Sequence, residues 1–290
     1  ADTAWMIVAT GLVLLMVPGL ALFYGGMVRA SNVLSVVMHS LFAMGIMSLQ
    51  WYVIGYSLAW GSDTGFGFIG GLDHLFLNNV GLEANGSIPH VLFMAFQGMF
   101  AIITPALITG AFVNRITFKS YLMFLVVWQI FVYYPFVHMI WGGGLLAEWG
   151  VLDFAGGIVV HATAGFAALA SVFYVGKRRD QVAPPNSIPL VAIGTGLLWF
   201  GWYGFNAGSE LQVDSITIQA FVNTDIAASF AAITWLIQPD WVPGELVPSP
   251  ILNDDVTWGP VDESRHPIRS TTHVARDAIF RDLFAKLAAG

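Results

Sequence analysis

The sequence contains no cysteine, and charged residues make up only 10% of it. The absence of cysteine excludes disulfide bonds, cysteine nucleophiles and thiolate metal sites, and it leaves the redox compartment undetermined. Soluble domains contain about 25% charged residues, so this chain departs strongly from their composition. Its residues are 57% hydrophobic, and its mean hydropathy is +0.72. We therefore predict a membrane protein.

Basic residues are especially few. The chain has 11 Lys and Arg against 18 Asp and Glu, which gives a formal net charge of −7, and its basic residues do not form one patch. Nucleic acids bind basic surfaces, so we expect no nucleic-acid partner. The sequence also suggests no cofactor, no metal site and no enzymatic activity.

Long apolar runs dominate the first four fifths of the chain. A helix needs about 17–25 residues to cross roughly 30 Å of hydrocarbon. Seven runs meet this length, at residues 4–28, 33–60, 89–113, 119–141, 155–175, 188–208 and 216–237. They predict an all-α, polytopic membrane helix bundle at residues 1–237, followed by a cytosolic linker and an amphipathic tail helix at 238–290.

Charged residues between the runs are sorted by sign. Basic residues before the tail follow the first, third and fifth spans, at Arg29, Arg115, Lys119, Lys177, Arg178 and Arg179. The other connections carry Asp63, Asp73, Glu83, Glu148, Glu210 and Asp214. The positive-inside rule therefore predicts an external N-terminus and a cytosolic tail. The chain opens with Ala1 rather than Met, and removal of a signal peptide would give the same orientation.

The tail differs from the spans in composition. Prolines are scattered through the residues before the stretch "TTHVARDAIFRDLFAKLAAG", in which Ile279, Leu283 and Leu287 recur at four-residue spacing. This spacing gives one apolar stripe, which could lie on the membrane or on a partner. A solvated tail is the alternative.

The stretch "LDFAGGIVVHATAGFAALA" places Asp153 and His161 in otherwise apolar sequence. Asp153 precedes the fifth span, where its carboxylate could accept N–H groups of Ala155 or Gly156 as an N-cap, or could supply a fixed negative charge below an outer mouth. His161 is expected about 12 Å deeper, from eight residues of helical rise. An ionisable residue at that depth is a functional candidate, although a histidine can also serve as a packing hydrogen bonder.

Aromatic residues cluster in three segments. Phe100 lies in "AFQGMFA", Trp141 lies in "HMIWGGG", and Phe205 lies in "WFGWYGFNAGSE", which also contains Ser209. Aromatics near span ends are often interfacial anchors. A tryptophan face beside a hydroxyl is also suited to holding a small cation by cation–π attraction.

These residues carry a resemblance to a known family. The segments "VPGLALFYGGMVR" (17–29), "AFQGMFAIITPALITGAFVNR" (95–115), "HMIWGGGLLAEWGVLDFAGGIVVH" (138–161), "GKR" (176–178) and "WFGWYGFNAGSELQ" (199–212) resemble the ammonium transporter family, which includes the methylammonium permeases and the Rh proteins. The likeness covers roughly residues 4–237 and is strongest to bacterial and archaeal members.

The resemblance implies a role for each of these residues. Trp141 and Ser209, completed by Phe100, would form the external ammonium recruitment site. Phe100 and Phe205 would be stacked rings that gate the pore, and His161 would be the first of two pore histidines. Asp153 would act through the local structure and its electrostatic field more than by direct contact with the ion. The family is homotrimeric with a pore in each subunit, and the resemblance allows a P-II-type nitrogen regulatory protein as a cytosolic partner.

The chain also departs from the family pattern. The family has about eleven spans, built as two inverted five-helix repeats and a last helix. Here the resemblance ends after the seventh span, and the second pore histidine has no counterpart, because His266 and His273 lie in polar tail sequence. We therefore expect a truncated transporter, whether a natural short form, a fragment or a frameshift. Asp225 adds an unexpected charge within the seventh span.

Three alternatives to a transporter remain at this level. An ammonium sensor would normally carry a signalling domain, for which a tail of about 50 residues is too short. A non-conducting fragment of a transporter is the second. A retinal protein or an intramembrane enzyme is disfavoured, because no lysine lies in the core of a span and no Ser/His or paired-Asp arrangement with protease spacing is present.

Overall fold

The computed structural model describes residues 1–113, 115–176 and 185–237 of the chain. Within these ranges seven helical segments are long and apolar enough to cross a membrane: Asp2–Met27, Ala30–Trp60, His90–Phe112, Phe118–Glu148, Gly157–Val175, Ile188–Glu210 and Ser215–Thr234, called spans one to seven below. The predicted all-α polytopic bundle is confirmed. The largest difference in span ends is in span four, which continues past Trp141 because a further short helix follows it. The tail predicted at 238–290 lies outside the described residues.

Ten α-helices form these spans and their connections in the described ranges: α1 (Asp2–Met27), α2 (Val33–Gln50), α3 (Tyr56–Trp60), α4 (His90–Phe112), α5 (Phe118–Trp128), α6 (Tyr134–Ile140), α7 (Leu145–Glu148), α8 (Thr163–Val175), α9 (Ile188–Ala207) and α10 (Ser215–Ile237). Short 3₁₀ turns lie at Ala30–Asn32, Leu75–Leu77 and Gly208–Glu210. A small antiparallel hairpin pairs β1 (Ala84–Asn85) with β2 (Ile88–Pro89).

Spans two, four and five each contain a π-helical stretch, at Trp51–Gly55, Gln129–Tyr133 and Gly157–Ala162. A π-helix inserts an extra residue per turn, so it rotates the side chains that follow onto a different face of the helix. Such insertions are frequent at functional sites. The stretch in span five contains His161.

Spans one and six pack along glycine positions of α9. A Cβ added at Gly194 would lie 2.6 Å from the Gly19 carbonyl oxygen, and one at Gly204 would lie 2.8 Å from the Ala9 carbonyl oxygen. No side chain larger than hydrogen fits at those distances. Small residues in membrane helices allow this close backbone approach, so the glycine stripe fixes how α9 lies on α1.

Several buried polar groups between spans two, three and four are hydrogen-bonded. The Tyr134 hydroxyl donates to Gln129 Oε1 at 2.8 Å, and Gln129 Nε2 donates to the Ala101 carbonyl. The Trp51 indole donates to the Met94 carbonyl at 3.1 Å. Since an unpaired polar group is costly in an apolar interior, these bonds make the register of the three spans specific.

The connections that follow spans two, four and six lie at one end of the bundle, the acidic end, together with the start of α1. Leu145 N donates to the Gly67 carbonyl at 2.9 Å, and Val213 N donates to Asp2 Oδ1 at 3.2 Å. The acidic residues of these connections are Asp63, Asp73, Glu83, Glu148, Asp153, Glu210 and Asp214. At the opposite end, Arg115 Nη1 donates to the Gly176 carbonyl at 2.8 Å. The two signs of charge thus separate in space as they do in sequence.

Candidate functional site

Four aromatic rings form a continuous series, the ring ladder, made of Trp141, Phe100, Phe205 and His161. The Trp141 and Phe100 rings are perpendicular, with centroids 5.9 Å apart. Phe100 meets Phe205 with centroids 4.5 Å apart, and Phe205 meets His161 at 5.6 Å. Four residues from four different spans therefore meet at one place.

The two phenylalanines form the closed part of the ladder. Phe100 projects from α4 and Phe205 from the last turn of α9, and each is 1% exposed. A third ring, Phe96, packs edge-on against Phe100 with centroids 5.0 Å apart. The rings therefore fill the space between spans three and six, and neither Phe100 nor Phe205 is accessible to solvent.

Asp153 caps the start of span five. Its Oδ1 accepts the backbone N–H groups of Gly156 and Gly157, both at 2.7 Å, and its Oδ2 accepts those of Ile158 and Val159 at 2.8 and 2.9 Å. The expected cap is present, and it satisfies all four of these donors. Ala155, the other donor that we considered, is not among them.

The backbone around this cap differs from the regular helix that the predicted depth of His161 assumed. Residues 153–156 are not helical, Gly156 has a φ of +102°, and the helix begins at Gly157. The predicted depth of about 12 Å assumed eight residues of α-helical rise from Asp153. Only the residues from Gly157 to His161 are helical, and they lie in the π-helical stretch, so the depth of His161 stays a prediction.

Asp153 also positions the first ring of the ladder. The Trp141 indole Nε1 donates to the Asp153 backbone carbonyl at 2.7 Å. Trp141 itself is partly exposed at the acidic end, where α6 stops. The cap residue therefore orients the indole through its carbonyl while its carboxylate stabilises the helix that carries His161.

Ser209 lies one turn beyond Phe205 on the same helical segment. Its hydroxyl donates to the Phe205 carbonyl at 2.8 Å, and the side chain is partly exposed. A hydroxyl that has used its proton keeps two lone pairs as acceptors. Ser209 is thus prepared to accept a hydrogen bond from a cation that carries N–H groups.

His161 is packed on one face and exposed on the other. Its ring stacks on Trp202, with centroids 5.8 Å apart and planes 11° apart, and leans on Phe205. The side chain is exposed, so the narrow lumen that we expected around it is not enclosed by the described residues. It does not pair with Asp225, whose Oδ1 instead accepts the Tyr203 hydroxyl at 2.6 Å.

Sequence reasoning missed Trp202. The signal was available, since Trp202 precedes Phe205 by three residues and therefore shares its helix face.

Among the described residues no cluster of three or more His, Cys, Asp or Glu could hold a metal ion.

Comparison with known proteins identifies the family. Residues 4–246 match the model of the Ammonium Transporter Family. The chain belongs to this family. An ammonium transporter of Aquifex aeolicus is 46% identical over 244 residues, which are 83% of this chain and 57% of that protein. An ammonium transporter of Bacillus subtilis is 45% identical over 83% of this chain and 60% of its own length.

Solved structures give the same result for the fold. The crystal structure of Candida albicans Mep2 matches with a TM-score of 0.76 and 40% identity, over 82% of this chain and 54% of that one. A sensor Amt protein matches with a TM-score of 0.76 and 31% identity, over 85% of this chain and 64% of that one. This member of the ammonium transporter family thus spans between half and two thirds of the length of the relatives it matches.

Proposed function

We propose that this protein supplies part of a path for ammonium transport across the cell membrane, recruiting NH₄⁺ at Trp141 and Ser209 and conducting NH₃ past Phe100 and Phe205 to His161. The observation that carries the proposal is the ring ladder, which leads from a partly exposed indole through two buried rings to a histidine. Membership of the family supports the substrate, and the order of the rings supports the path.

The chemistry of ammonium explains why such a path would suit it. A bare cation entering a low-dielectric region faces an idealised cost of order 20 kcal/mol, reduced to several kcal/mol in real proteins. Losing a proton at pH 7 costs about 4–5 kcal/mol if the lysine ammonium, with a pKa of about 10.4, is taken as a guide. Neutral ammonia then crosses an apolar bore, whereas potassium has no proton to lose and is rejected.

Recruitment would use the two groups at the acidic end. The electron-rich face of Trp141 attracts a cation, and Ser209 offers its lone pairs to an N–H group. The negative charges of that end raise the local concentration of cations. The carboxylate of Asp153 contributes to this field while its hydrogen bonds remain within the cap.

Phe100 and Phe205 would act as the gate. Their rings leave no room for a hydrated ion in this conformation, so passage requires a side-chain rotation and favours the smaller, neutral species. His161 on the far side of Phe205 offers one ring nitrogen that can accept a hydrogen bond from ammonia and one that can donate.

We further propose a cell (plasma or inner) membrane location with an external acidic end, an external N-terminus and a cytosolic tail. The separation of basic and acidic connections supports this orientation. A homotrimer, and a P-II-type nitrogen regulatory protein at the cytosolic side, follow from the family resemblance and belong to the same proposal. The match to a sensor Amt protein does not favour sensing over transport, because its 31% identity is lower than the 46% identity of the Aquifex aeolicus transporter.

The test is methylammonium uptake by a hybrid protein in liposomes. Residues 1–237 of this chain would be joined to the remaining spans of the Aquifex aeolicus relative. We expect uptake above the empty-liposome background, a strong reduction on His161→Leu, and no change on Trp149→Leu, whose ring is 70% exposed. A folded hybrid that takes up no methylammonium, or one that is indifferent to His161→Leu, would contradict the proposal.

A further inference from the structure

We propose that His138 and Asp63 form a proton-dependent brace that positions the loop bearing Trp141. His138 lies three residues before Trp141 on α6, and Asp63 lies in the connection between spans two and three. His138 Nε2 is 3.3 Å from Asp63 Oδ1. The role of the brace in ammonium recruitment rests on the proposed function, whereas the brace itself does not.

Both ring nitrogens of His138 face oxygen acceptors. Nδ1 lies 3.1 Å from the Ala59 carbonyl oxygen, and Nε2 faces the Asp63 carboxylate. A carbonyl and an ionised carboxylate have no proton to give, so each contact needs an N–H on the imidazole. Neutral imidazole has one N–H and the imidazolium has two. The protonated ring therefore satisfies both contacts, and loss of the proton breaks one of them.

Asp63 carries the brace into the neighbouring loop. The same Oδ1 accepts the backbone N–H of Gly67 at 2.9 Å. The Gly67 carbonyl then accepts Leu145 N at 2.9 Å, which fixes the start of α7 just after Trp141. A chain of hydrogen bonds thus joins the His138 ring to the far end of the Trp141 loop.

The backbone of His138 holds the near side of that loop. Its carbonyl accepts Gly144 N at 3.0 Å. A Cβ at Gly144 would lie 2.2 Å from the Gly67 carbonyl oxygen and 2.9 Å from that of His138. The loop is therefore clamped between the two segments that the His138–Asp63 contact connects.

Other ionisable groups near this contact are engaged elsewhere. The Tyr56 hydroxyl bonds His90, Asp73 accepts the N–H of Ser62, and the Asp153 carboxylate is used by the span-five cap, while Glu148 is exposed on α7. Within the part of the chain that the structure describes, Asp63 is the ionisable side chain within ion-pair distance of the His138 ring. Protonation of His138 therefore acts on one ion-pair partner, the Asp63 carboxylate.

A second histidine–carboxylate pair provides a matched control. His90 Nδ1 lies 2.9 Å from Glu83 Oε1, and its Nε2 contacts the Tyr56 hydroxyl. This pair fixes the hairpin before span three, and among the described residues no hydrogen bond links it directly to the Trp141 loop. A hydroxyl can donate as well as accept, so His90 stays fully bonded when neutral.

The experiment is amide hydrogen exchange of the purified 290-residue chain in detergent, with protection of residues 141–149 corrected for intrinsic rates. Protection would be compared at about pH 5.5 and at about pH 8. We expect protection in the wild type to fall about tenfold at the higher pH, as expected for loss of one charge-assisted hydrogen bond. Asp63→Asn and His138→Gln should remove this pH dependence, Asp63→Glu should restore it, and His90→Gln should keep it.

The outcomes separate cleanly. Asp63 is 46% exposed, so Asp63→Asn keeps the result interpretable if the buried His138→Gln variant fails to fold. Protection that does not change with pH in the wild type, or a pH dependence that survives Asp63→Asn, overturns the brace. Methylammonium affinity measured on the same samples is a second arm. A brace that behaves as expected in a chain that binds no methylammonium would refute the proposed function and leave the brace standing.

Discussion

The His161 imidazole stacks on the Trp202 indole, with ring planes 11° apart and centroids separated by 5.8 Å. Trp202 and Phe205 lie three residues apart on α9, so one helix face presents both rings to the histidine. Because a neighbouring face of α9 packs closely on α1 through its glycines, the position of the imidazole depends on how spans one and six fit together.

Replacing Trp202 by leucine should loosen His161 and lower the stability of the chain. Ring stacking contributes about 0.5–1.5 kcal/mol beyond the area that it buries. We expect a loss of free energy of unfolding of at least this size in detergent, and a smaller loss for Trp202→Phe, which keeps a ring. Trp149→Leu, at a residue that is 70% exposed, is the control. Equal losses for Trp202→Leu and Trp149→Leu would show that the stacking contributes nothing.

Trp141→Leu should weaken ammonium binding at the acidic end. Removing one cation–π contact costs about 0.5–2 kcal/mol, which corresponds to a roughly 2- to 30-fold rise in dissociation constant. Competition between ammonium and methylammonium for the purified chain measures this change. Trp149→Leu should leave the competition curve unchanged, and an unchanged curve for Trp141→Leu would remove the indole from the recruitment site.

Particular residues show how far sequence alone could go. Length and hydropathy were sufficient for seven spans, because the hydrocarbon thickness fixes helix length. The meeting of Phe100 and Phe205 required the family resemblance, since contacts between distant spans leave no periodic signal. The π-helical stretch at His161 and the irregular residues after Asp153 were not foreseen, because local helix periodicity does not encode an inserted residue.

Asp153→Ala should destabilise the chain more than Asp214→Ala. Asp153 accepts four backbone N–H groups at the start of span five, whereas Asp214 Oδ1 accepts two, from Ile216 and Thr217, at the start of span seven. Loss of an ordinary cap costs about 0.5–2 kcal/mol, and the doubled set of bonds at Asp153 should exceed that range. Unfolding of each variant in detergent compares the two caps. A smaller effect at Asp153 would contradict this ranking.

The contribution of Asp214 to the stability of the chain depends on pH. The bond from the Thr217 N–H, with that from Ile216, lowers the pKa of Asp214 below its usual value. A carboxylate with a lowered folded-state pKa stabilises the fold fully above its unfolded pKa of about 3.9 and loses that contribution as pH falls through the lower folded value. The stability difference between wild type and Asp214→Ala should therefore persist at pH 5 and shrink only in stronger acid. A difference already lost at about pH 5 would mean that the cap does not lower the pKa.

Asp225→Asn should stabilise the chain. Asp225 lies near the middle of span seven on an exposed face, and Tyr203 donates to it at 2.6 Å. A charged aspartate at the centre of a membrane helix costs about 2.5–3.5 kcal/mol on insertion scales, whereas asparagine keeps an acceptor for the Tyr203 hydroxyl without the charge. A higher unfolding temperature in lipid nanodiscs is expected. A lower one would show that the charge itself is needed there, and Asp225→Leu separates loss of the charge from loss of the hydrogen bond.

The 290-residue chain by itself should bind ammonium but transport it poorly. In this chain one face of His161 is covered by Trp202 and Phe205 and the other is exposed, so the described residues do not close a lumen around it. An inverted-repeat pore forms where two repeats meet, and this chain matches 57% of the length of its Aquifex aeolicus relative. In liposomes with an ammonium gradient, uptake by the chain should therefore stay near the empty-liposome background, while the hybrid with the relative's remaining spans should exceed it. Uptake by the chain alone that is abolished by Phe100→Ala and His161→Leu would overturn this expectation, because it would require a neighbouring subunit or the tail to complete the wall of the pore.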